Sequence, residues 1–393
     1  MIDNQLISSV KDVQNTPYYM FNLDAISEMC FSMIKAWSSQ FPDFVLAYSY
    51  KTNSISAITK ILRKSGAAAE VVSGDELELA LDDGYTPSEI YFDGPYKTRT
   101  ELHRAMSLGV RIQIDSIDEA RIISSLAKEE GFKATVSVRV AGLREDKESS
   151  RFGLTTSEVE TVRSILRSAH IKISGIHFNT GFHDTSPGIF VEHIHHYGDL
   201  ITRGVRDHSL SDSRFIVDIG GGFPASANVP KGSRVPHPLS FAAALGEAID
   251  ILGINRSDIR LVIEPGRSLV EDHGILVARV VALKERLGTR LAVIDAGTNL
   301  VRSINLWPHD IRFLRHGSTP YDLLGSMCFE NDRFGSSVLG PHNLVIGDFV
   351  IVGNAGGYDI PSSNVWLRPS PPVYGFSEKN GIYCIREKGR SIR

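Results

Sequence analysis

Short apolar runs, rich in β-branched residues, recur along the first two thirds of the chain and alternate with amphipathic stretches. In segment 116–127, for example, apolar residues return at helical spacing. Eight strands that alternate with helices predict an α/β fold, a (β/α)8 TIM barrel, although a doubly wound open sheet uses the same repeat. The predicted strands lie at 44–51, 69–73, 90–93, 111–115, 134–140, 173–179, 215–222 and 260–266.

Beyond residue 266 the pattern changes to apolar runs separated by turns, with little helical periodicity. The runs at 270–281, 291–294, 344–352 and 381–385 predict a second, mostly β domain. We therefore expect a domain boundary near residue 270.

Composition narrows the classes of protein. The chain has 393 residues, of which 42% are hydrophobic and 22% charged, and its net charge of −4 favours neither nucleic acid nor an anionic membrane as partner. No apolar run is long enough for a transmembrane helix, and the N-terminus lacks the pattern of a signal peptide. Since Cys30, Cys328 and Cys384 are few and widely spaced, we expect a reducing, cytoplasmic environment and no zinc site.

Lys51 ends the first predicted strand and is followed by small polar residues. A lysine at the end of a buried strand is desolvated, which disfavours its ammonium form and makes a neutral amine available. Such an amine can form a Schiff base. The alternative is a lysine that reaches solvent from the strand end, as most lysines do.

Glycines and one carboxylate mark the ends of the last two predicted barrel strands. Gly220–Gly222 would let backbone N–H groups approach a phosphate, although a flexible turn also explains three glycines. After the next strand, Gly266 would let backbone approach the same phosphate, and Arg267 adds a cation. Glu264 ends an apolar strand and needs a partner, either an arginine or a protonated ring nitrogen. Together with Lys51, these residues indicate pyridoxal 5'-phosphate as cofactor.

From about residue 18 to 371, ordered motifs resemble those of the fold-type III pyridoxal-phosphate decarboxylases, which include diaminopimelate, ornithine and arginine decarboxylases. The resemblance implies an alanine racemase-like barrel domain at 22–270 and a β domain that joins 1–21 to 271–393. The motifs are YKTN at 50–53, EVVSGDEL at 70–77, SRFGL at 150–154, GIHF at 175–178, DIGGGFP at 218–224, EPGR at 264–267, Cys328 and GY at 357–358.

The resemblance also implies a role for each motif residue. Lys51 would form the internal aldimine, Glu264 would pair with the pyridine nitrogen, and Arg139 would lie near the ring hydroxyl. Cys328, delivered from the second subunit of a head-to-tail homodimer, would protonate the carbanion. The other cofactor-binding residues implied are Glu70, His177, Asn179, Gly220, Gly221, Gly222, Gly266, Arg267 and Tyr358.

The implied activity is decarboxylation of an L-amino acid or amino-acid conjugate to the amine and carbon dioxide, through a quinonoid intermediate. A carboxylate at Glu264 favours that intermediate, whereas the related alanine racemases place an arginine there. The alternatives are a racemase or epimerase on the same barrel and a catalytically silent homologue that binds a partner protein. The joint presence of Lys51, Glu264, Arg267, Cys328 and Tyr358 argues against the silent homologue.

Two departures from the family pattern affect the cofactor ring and the substrate. Asn179 stands where most members have the second histidine of His-x-His-x-Gly, which stacks on the ring, so His177 or His183 compensates or that face is open. Phe329 stands where decarboxylases of basic amino acids and of diaminopimelate carry an acid that binds the distal amine. Plain lysine, ornithine and diaminopimelate are therefore disfavoured as substrates.

The other predicted substrate-binding residues are Arg302, Glu330 and Asp332. Arg302 ends the segment DAGTNLVR at 295–302 and would bind a distal carboxylate or pair with a surface acid. The continuation SINLWPH at 303–309 is a third departure, and the pattern here resembles the branch found in siderophore and natural-product pathways. Cys328 also has a structural alternative, a small buried apolar side chain.

Overall fold

The computed structural model describes residues 4–13, 15–144, 147–181, 185–209, 213–229 and 233–389. The chain forms two compact units. The barrel unit comprises Glu28–Pro224 and Val235–Gly266, and the β unit comprises Met1–Ser27, Ala225–Arg234 and Arg267–Arg393. Within the described ranges, every helix is too short or too polar to cross a membrane.

Eight strands close into a parallel barrel in the order β10-β11-β2-β3-β4-β5-β6-β9. The closed barrel confirms the predicted fold class and excludes the open sheet. The strands are β2 (Phe44–Ser49), β3 (Ala68–Val71), β4 (Ile90–Phe92), β5 (Arg111–Ile114), β6 (Thr135–Arg139), β9 (Ile173–His177), β10 (Phe215–Asp218) and β11 (Ile259–Ile263). A short hairpin of β7 (Leu143–Arg144) and β8 (Lys147–Glu148) follows β6.

Helices connect the barrel strands, and several begin with the same cap. The hydroxyl of Ser73, Thr98, Ser116 or Thr155 accepts the N–H of a glutamate three residues later, which satisfies a free donor of the first turn. The helices are α2 (Leu23–Ser38), α3 (Ser56–Lys64), α4 (Gly74–Asp82), α5 (Arg99–Leu108), α6 (Ile117–Glu130), α7 (Thr156–Arg167), α8 (Gly188–His196), α9 (Gly198–His208) and α10 (Pro238–Ile251).

One layer of the barrel interior is a cluster of buried apolar side chains from five strands: Ala47, Ala68, Tyr91, Ile216 and Val262. Side chains on one face of a strand recur every second residue. The same face therefore next presents the polar residues at the carboxyl ends of these strands: Ser49, Glu70, Asp93, Asp218 and Glu264. An apolar layer thus supports a polar layer.

The β unit is built on a nine-stranded sheet. Its main path runs β16-β15-β13-β12-β1-β18-β19, and β17 pairs with β12 and β14. The strands are β1 (Tyr18–Asn22), β12 (Gly274–Arg286), β13 (Thr289–Ile294), β14 (Ile311–Phe313), β15 (Thr319–Leu324), β16 (Arg333–Gly340), β17 (Phe349–Val352), β18 (Val373–Ser377) and β19 (Gly381–Arg386), with the helices α1 (Asn4–Ser9), α11 (Arg267–Val270) and α12 (Asp359–Ser362).

The N-terminal segment completes this sheet, as the fold class predicted. Strand β1 pairs antiparallel with β12 and parallel with β18. Each of the four apolar runs predicted as strands in this domain overlaps an observed strand. Strands β14, β15, β16 and β18 were not predicted. The domain ranges 22–270 and 1–21 with 271–393 stay a prediction.

We expect Ile216→Ala to lower the free energy of unfolding by about 2–5 kcal/mol, because it opens a cavity inside the barrel. Ile251→Ala is the matched control, since Ile251 is 73% exposed, and should change it by less than about 0.5 kcal/mol. Urea denaturation of both variants measures the difference. Equal effects would contradict the placement of Ile216 in the barrel core.

Candidate active site

Lys51 lies in a 3-10 turn, Tyr50–Thr52, directly after β2. Its Nζ is 2.7 Å from both carboxylate oxygens of Glu70, the third residue of β3. The Lys51 side chain is 36% exposed, so it is partly desolvated. Burial raises the pKa of Glu70 to about 7, against the opposing effect of the Lys51 ammonium. Ser49 Oγ also donates to Glu70, at 2.5 Å.

His177, the last residue of β9, is fully buried between two carboxylates. Its Nε2 lies 3.4 Å from Glu264 Oε2, and its Nδ1 lies 3.7 Å from Asp93 Oδ1. Although burial opposes protonation, Glu264 and Asp93 raise the pKa of His177 to about 9. The two acids on either side of His177 therefore favour its protonated, imidazolium form.

Glu264 follows β11 and is 3% exposed. Burial would raise its pKa, but the neighbouring His177 imidazolium outweighs burial and lowers it. Gln113 Nε2 donates to Glu264 Oε1 at 3.2 Å and to Asp218 Oδ2 at 2.6 Å. The partners of Glu264 are thus an imidazole and an amide rather than the neighbouring arginine considered from the sequence.

Arg139, the last residue of β6, is held by two further acids. Its Nη1 lies 3.2 Å from Asp93 Oδ2 and 3.4 Å from Asp115 Oδ1, and its guanidinium lies 4.8 Å from the centre of the Phe152 ring. Burial alone would raise the pKa of Asp93, but the charge of Arg139 helps to lower it. Arg139 therefore has a fixed position at the strand ends.

The glycines that follow β10 and β11 permit close packing of backbone. Gly220 has a φ of +68°, and a Cβ there would lie 2.7 Å from the carbonyl oxygen of Phe178. A Cβ on Gly266 would clash with Thr52 Oγ1. That hydroxyl is buried and has no hydrogen-bond partner among the described residues. Uncovered backbone beside an unpaired donor fits a phosphate group.

Other buried polar atoms at these strand ends also have no hydrogen-bond partner within the described ranges, namely Asp93 Oδ1, Gln113 Oε1 and both ring nitrogens of His177. Buried polar atoms are nearly always partnered, so such exceptions call for a specific explanation. Together with the Lys51 amine and the Glu264 carboxylate, they fit a phosphorylated, ring-containing cofactor that carries an aldehyde.

In the β unit, Arg267 begins the short helix α11 and is 9% exposed. Its guanidinium lies 4.9 Å from the centre of the Trp307 ring and 5.9 Å from that of Tyr358. Its Nε lies 3.6 Å from Glu271 Oε2, and burial raises the pKa of Glu271 to about 8 although Arg267 opposes the shift. Trp307 belongs to the unusual segment 303–309 and was not predicted to contact Arg267.

Tyr358 has a left-handed backbone conformation, with a φ of +66°. The next residue, Asp359, is anchored through Oδ1, which accepts the backbone N–H of Ser303 at 3.1 Å and its hydroxyl at 2.6 Å. The same hydroxyl lies 2.8 Å from His309 Nε2. Segment 303–309 therefore helps to hold the strained residue Tyr358 in place.

Cys328 is exposed, so its alternative as a small buried apolar side chain is wrong. Its loop is ordered by Asp332, whose two carboxylate oxygens accept the N–H groups of Thr298 and Met327, each at 2.7 Å. Phe329 is 51% exposed in the same loop, and Glu330 and Arg302 are also exposed. The substrate contacts predicted for Arg302, Phe329, Glu330 and Asp332 stay predictions.

Asn179 lies just beyond β9, where its side-chain oxygen accepts the N–H of Gly181 at 3.0 Å. His183, the other histidine considered for stacking on the ring, lies outside the described residues.

Sequence reasoning missed Asp93, Gln113 and Asp218 as members of the site. A signal was present, because Arg111, Gln113 and Asp115 alternate with isoleucines and so share one face of β5.

Comparison with known proteins gives the family. Residues 29–271 match the family model described as pyridoxal-dependent decarboxylase, pyridoxal binding domain. The chain belongs to this family. It is a pyridoxal-phosphate-dependent carboxy-lyase, and pyridoxal phosphate is its cofactor.

The relatives include several diaminopimelate decarboxylases. That of Methanocaldococcus jannaschii is 27% identical over 400 residues, which cover 95% of this chain and 89% of the relative. That of Archaeoglobus fulgidus is 29% identical over 358 residues, which cover 84% and 81%.

Solved structures agree with the fold. A crystal structure of the M. jannaschii enzyme has a TM-score of 0.87 at 26% identity and covers 99% of this chain and 95% of its own. A Vibrio vulnificus lysine/ornithine decarboxylase complexed with putrescine, 22% identical with a TM-score of 0.78 over 93% of this chain and 96% of its own, supports the fold alone.

We expect the shared imidazolium to make stability depend on pH in the cofactor-free protein. Because the folded-state pKa of His177, about 9, exceeds the unfolded value of about 6.5, its contribution is full below about pH 6.5 and is lost as pH rises through 9. The loss is about 3 kcal/mol at most. Urea unfolding from pH 6 to 10 should show it in the wild type and in the surface variant His103→Gln, but not in His177→Gln. An unchanged pH profile in His177→Gln would refute the assignment.

Proposed function

We propose that this chain decarboxylates an L-amino acid, or an amino-acid conjugate, to the corresponding amine and carbon dioxide. The observation that carries the proposal is the position of Lys51 and Glu264 at the carboxyl ends of neighbouring strands. They follow β2 and β11, which are neighbours in the barrel, and the Lys51 charge contributes to lowering the pKa of Glu264. An amine and an ionised carboxylate at adjacent strand ends can address the aldehyde and the ring nitrogen of one cofactor molecule.

Lys51 is proposed to hold the cofactor covalently through Nζ. An amine must lose its proton before it attacks a carbonyl group. Glu70 lies 2.7 Å from Nζ and has a pKa of about 7, so it can accept that proton near neutral pH. Glu70 is thus proposed to move a proton to and from Lys51.

Glu264 is proposed to be the anionic partner of the ring nitrogen. The adjacent His177 imidazolium keeps Glu264 ionised, and an ionised carboxylate favours a protonated nitrogen beside it. When bound, pyridoxal phosphate supplies an electron sink for the electron pair released as the Cα–carboxylate bond breaks. This arrangement supports decarboxylation over the racemase alternative.

The remaining cofactor contacts are proposed from the family resemblance and from the chemistry of each residue. The phosphate is assigned to Gly220–Gly222, Gly266, Arg267 and Tyr358, which offer backbone N–H groups, a guanidinium and a hydroxyl. Near the ring, we assign Arg139, His177 and Asn179.

Cys328 is proposed to protonate the substrate carbon after carbon dioxide leaves. Its exposure on an ordered loop supports a role at a surface that another subunit covers. We therefore propose a head-to-tail homodimer in which Cys328 of one subunit serves the barrel domain, residues 22–270, of the other.

The substrate is proposed to lack a free distal ammonium group. The relatives named above are diaminopimelate decarboxylases, but Phe329 follows Cys328 directly and cannot pair with a cation through a salt bridge. Arg302 and Glu330 are exposed and offer one charge of each sign for the distal part of a substrate. A conjugated or carrier-bound amino acid, as in natural-product pathways, meets these conditions.

The test is release of carbon dioxide from a panel of free L- and D-amino acids, diaminopimelate, and conjugated small diamino acids. We expect at least one member to yield carbon dioxide and the matching amine. Lys51→Ala should reduce the rate by at least about a hundredfold, whereas the exposed Lys60→Ala should not. Inversion of the substrate without carbon dioxide, seen by chiral chromatography, would establish the racemase instead.

We expect Cys328→Ala to retain cofactor affinity and to lose about a hundredfold in turnover or to misplace the proton in the product. Cys384→Ala is the matched control, since Cys384 is also exposed. Turnover in deuterated water with mass analysis of the product measures both effects. Full turnover and an unaltered product would mean that another group is the acid.

We expect Phe329→Glu to raise kcat/KM for substrates with a distal ammonium by about tenfold, because it adds a charge-assisted contact. Phe329→Leu controls for loss of the ring and should give no such gain. Equal changes in both variants, or none in either, would show that position 329 does not face the substrate.

A further inference from the structure

Gln113 is a buried amide that links two carboxylates from neighbouring parts of the barrel. It lies on β5 and is 1% exposed. Asp218, the last residue of β10, and Glu264, which follows β11, are buried beside it. The three residues are more than 40 positions apart along the chain and meet only because the barrel closes.

The hydrogens of the Gln113 amide can be assigned. Nε2 carries two hydrogens, and it lies 2.6 Å from Asp218 Oδ2 and 3.2 Å from Glu264 Oε1. The opposite orientation of the amide would place Gln113 Oε1 against the ionised Glu264 carboxylate, which is repulsive. Nε2 therefore donates one hydrogen to Glu264 and one to Asp218, whose Oδ2 can accept a hydrogen bond whether or not Asp218 carries a proton.

The backbone of Gln113 is fixed as well. Its carbonyl oxygen accepts a hydrogen bond from Lys97 Nζ at 3.0 Å. Lys97 is itself buried, donates to Gly94 O at 2.7 Å and pairs with Glu119 Oε1 at 2.9 Å. The amide therefore projects toward Glu264 from a rigid support.

Asp218 differs from the other acids of the site in its surroundings. Arg139 pairs with Asp93 and Asp115, and Lys51 pairs with Glu70. Glu264 lies at ion-pair distance from His177, whereas in the part of the chain that the structure describes no lysine, arginine or histidine lies at ion-pair distance from Asp218. Its Oδ1 accepts the N–H of Gly220 at 3.0 Å.

An acid in such surroundings takes up a proton. Burial, the nearby Glu264 charge and a hydrogen bond with Glu264 raise the pKa of Asp218 well above its usual range. Two adjacent buried carboxylates with one shared cation do not both ionise. Since His177 lies at ion-pair distance from Glu264, Glu264 carries the negative charge and Asp218 carries the proton.

We propose that Gln113 and Asp218 are positioning residues that hold Glu264 as an oriented anion, with Asp218 acting as a neutral carboxylic acid. Gln113 Nε2 donates to Glu264 Oε1, and His177 Nε2 faces Glu264 Oε2. The hydrogen that we assign to the Asp218 carboxyl group is the second donor to Glu264. The proposal rests on the proposed function, because Glu264 is held there for the cofactor's ring nitrogen. It predicts that removing either donor leaves that nitrogen less protonated.

The test uses full-length protein freed of cofactor, and variants Gln113→Leu, Asp218→Leu and Asp218→Asn. Affinity for pyridoxal phosphate is measured by fluorescence, and protonation of the ring nitrogen by NMR with cofactor labelled with 15N at that position. Asp43→Leu is the matched control. Asp43 pairs with Arg214 and Arg260 and precedes β2, so it lies at the opposite end of the barrel strands.

We expect Gln113→Leu and Asp218→Leu to weaken cofactor affinity by about tenfold or more, since each removes a hydrogen bond to a charged group. Their nitrogen resonance should move toward the unprotonated position. Asp218→Asn keeps a neutral donor and should stay within about threefold of the wild type. Asp43→Leu should leave the resonance unchanged.

An Asp218→Asn variant that folds but shows the unprotonated resonance and a tenfold loss of affinity would overturn the neutral-acid assignment. If the leucine variants fail to fold, this asparagine variant alone decides. Wild-type affinity and resonance in Gln113→Leu would overturn the role of the amide. Failure of the wild type itself to bind pyridoxal phosphate through Lys51 would instead refute the proposed function.

Discussion

The structure depends on one electrostatic arrangement, a buried imidazolium shared by two carboxylates. His177 lies between Asp93 and Glu264 at the carboxyl ends of the barrel strands. The free energy needed to bury an unpaired charge is far larger than the free energy gained from a single contact. Each charge in this layer therefore depends on several neighbours for its stability. Arg139 pairs with Asp93, and Gln113 donates to Glu264. The polar layer therefore behaves as one network, in which the loss of a member disturbs the others.

The barrel makes this network possible. Parallel strands that close on themselves bring residues far apart in sequence to one end, and side chains of every second residue fill the interior. The apolar layer around Ile216 supports the polar layer two residues further along. This packed apolar layer fixes the distances between Lys51, Glu70 and Glu264. Catalysis by positioned charges requires such fixed distances.

Much of the barrel and of the candidate site was predictable from the sequence, because the signals lie within short segments of the chain. Each barrel strand carries its own apolar run, and Lys51, Glu264 and the glycines stand at the ends of such runs. The family motifs then implied what these residues bind. The contacts among Gln113, Asp218 and Glu264 were not predicted, because they depend on strand order and closure. Burial of His177 between two acids, which sets its charge, depends on them too. In the β unit, β14 is only three residues long, and β16 contains two glycines and two adjacent serines that interrupt the alternation of apolar and polar residues. Periodicity therefore gave little signal for these two strands.

The central claim is that Lys51 is the amine that binds the cofactor. Reduction of the loaded protein with borohydride makes that bond permanent, and mass spectrometry of the peptides then locates the label. We expect a phosphopyridoxyl group on Lys51 alone. A label on another lysine, such as the buried Lys97, or no label at all would contradict it.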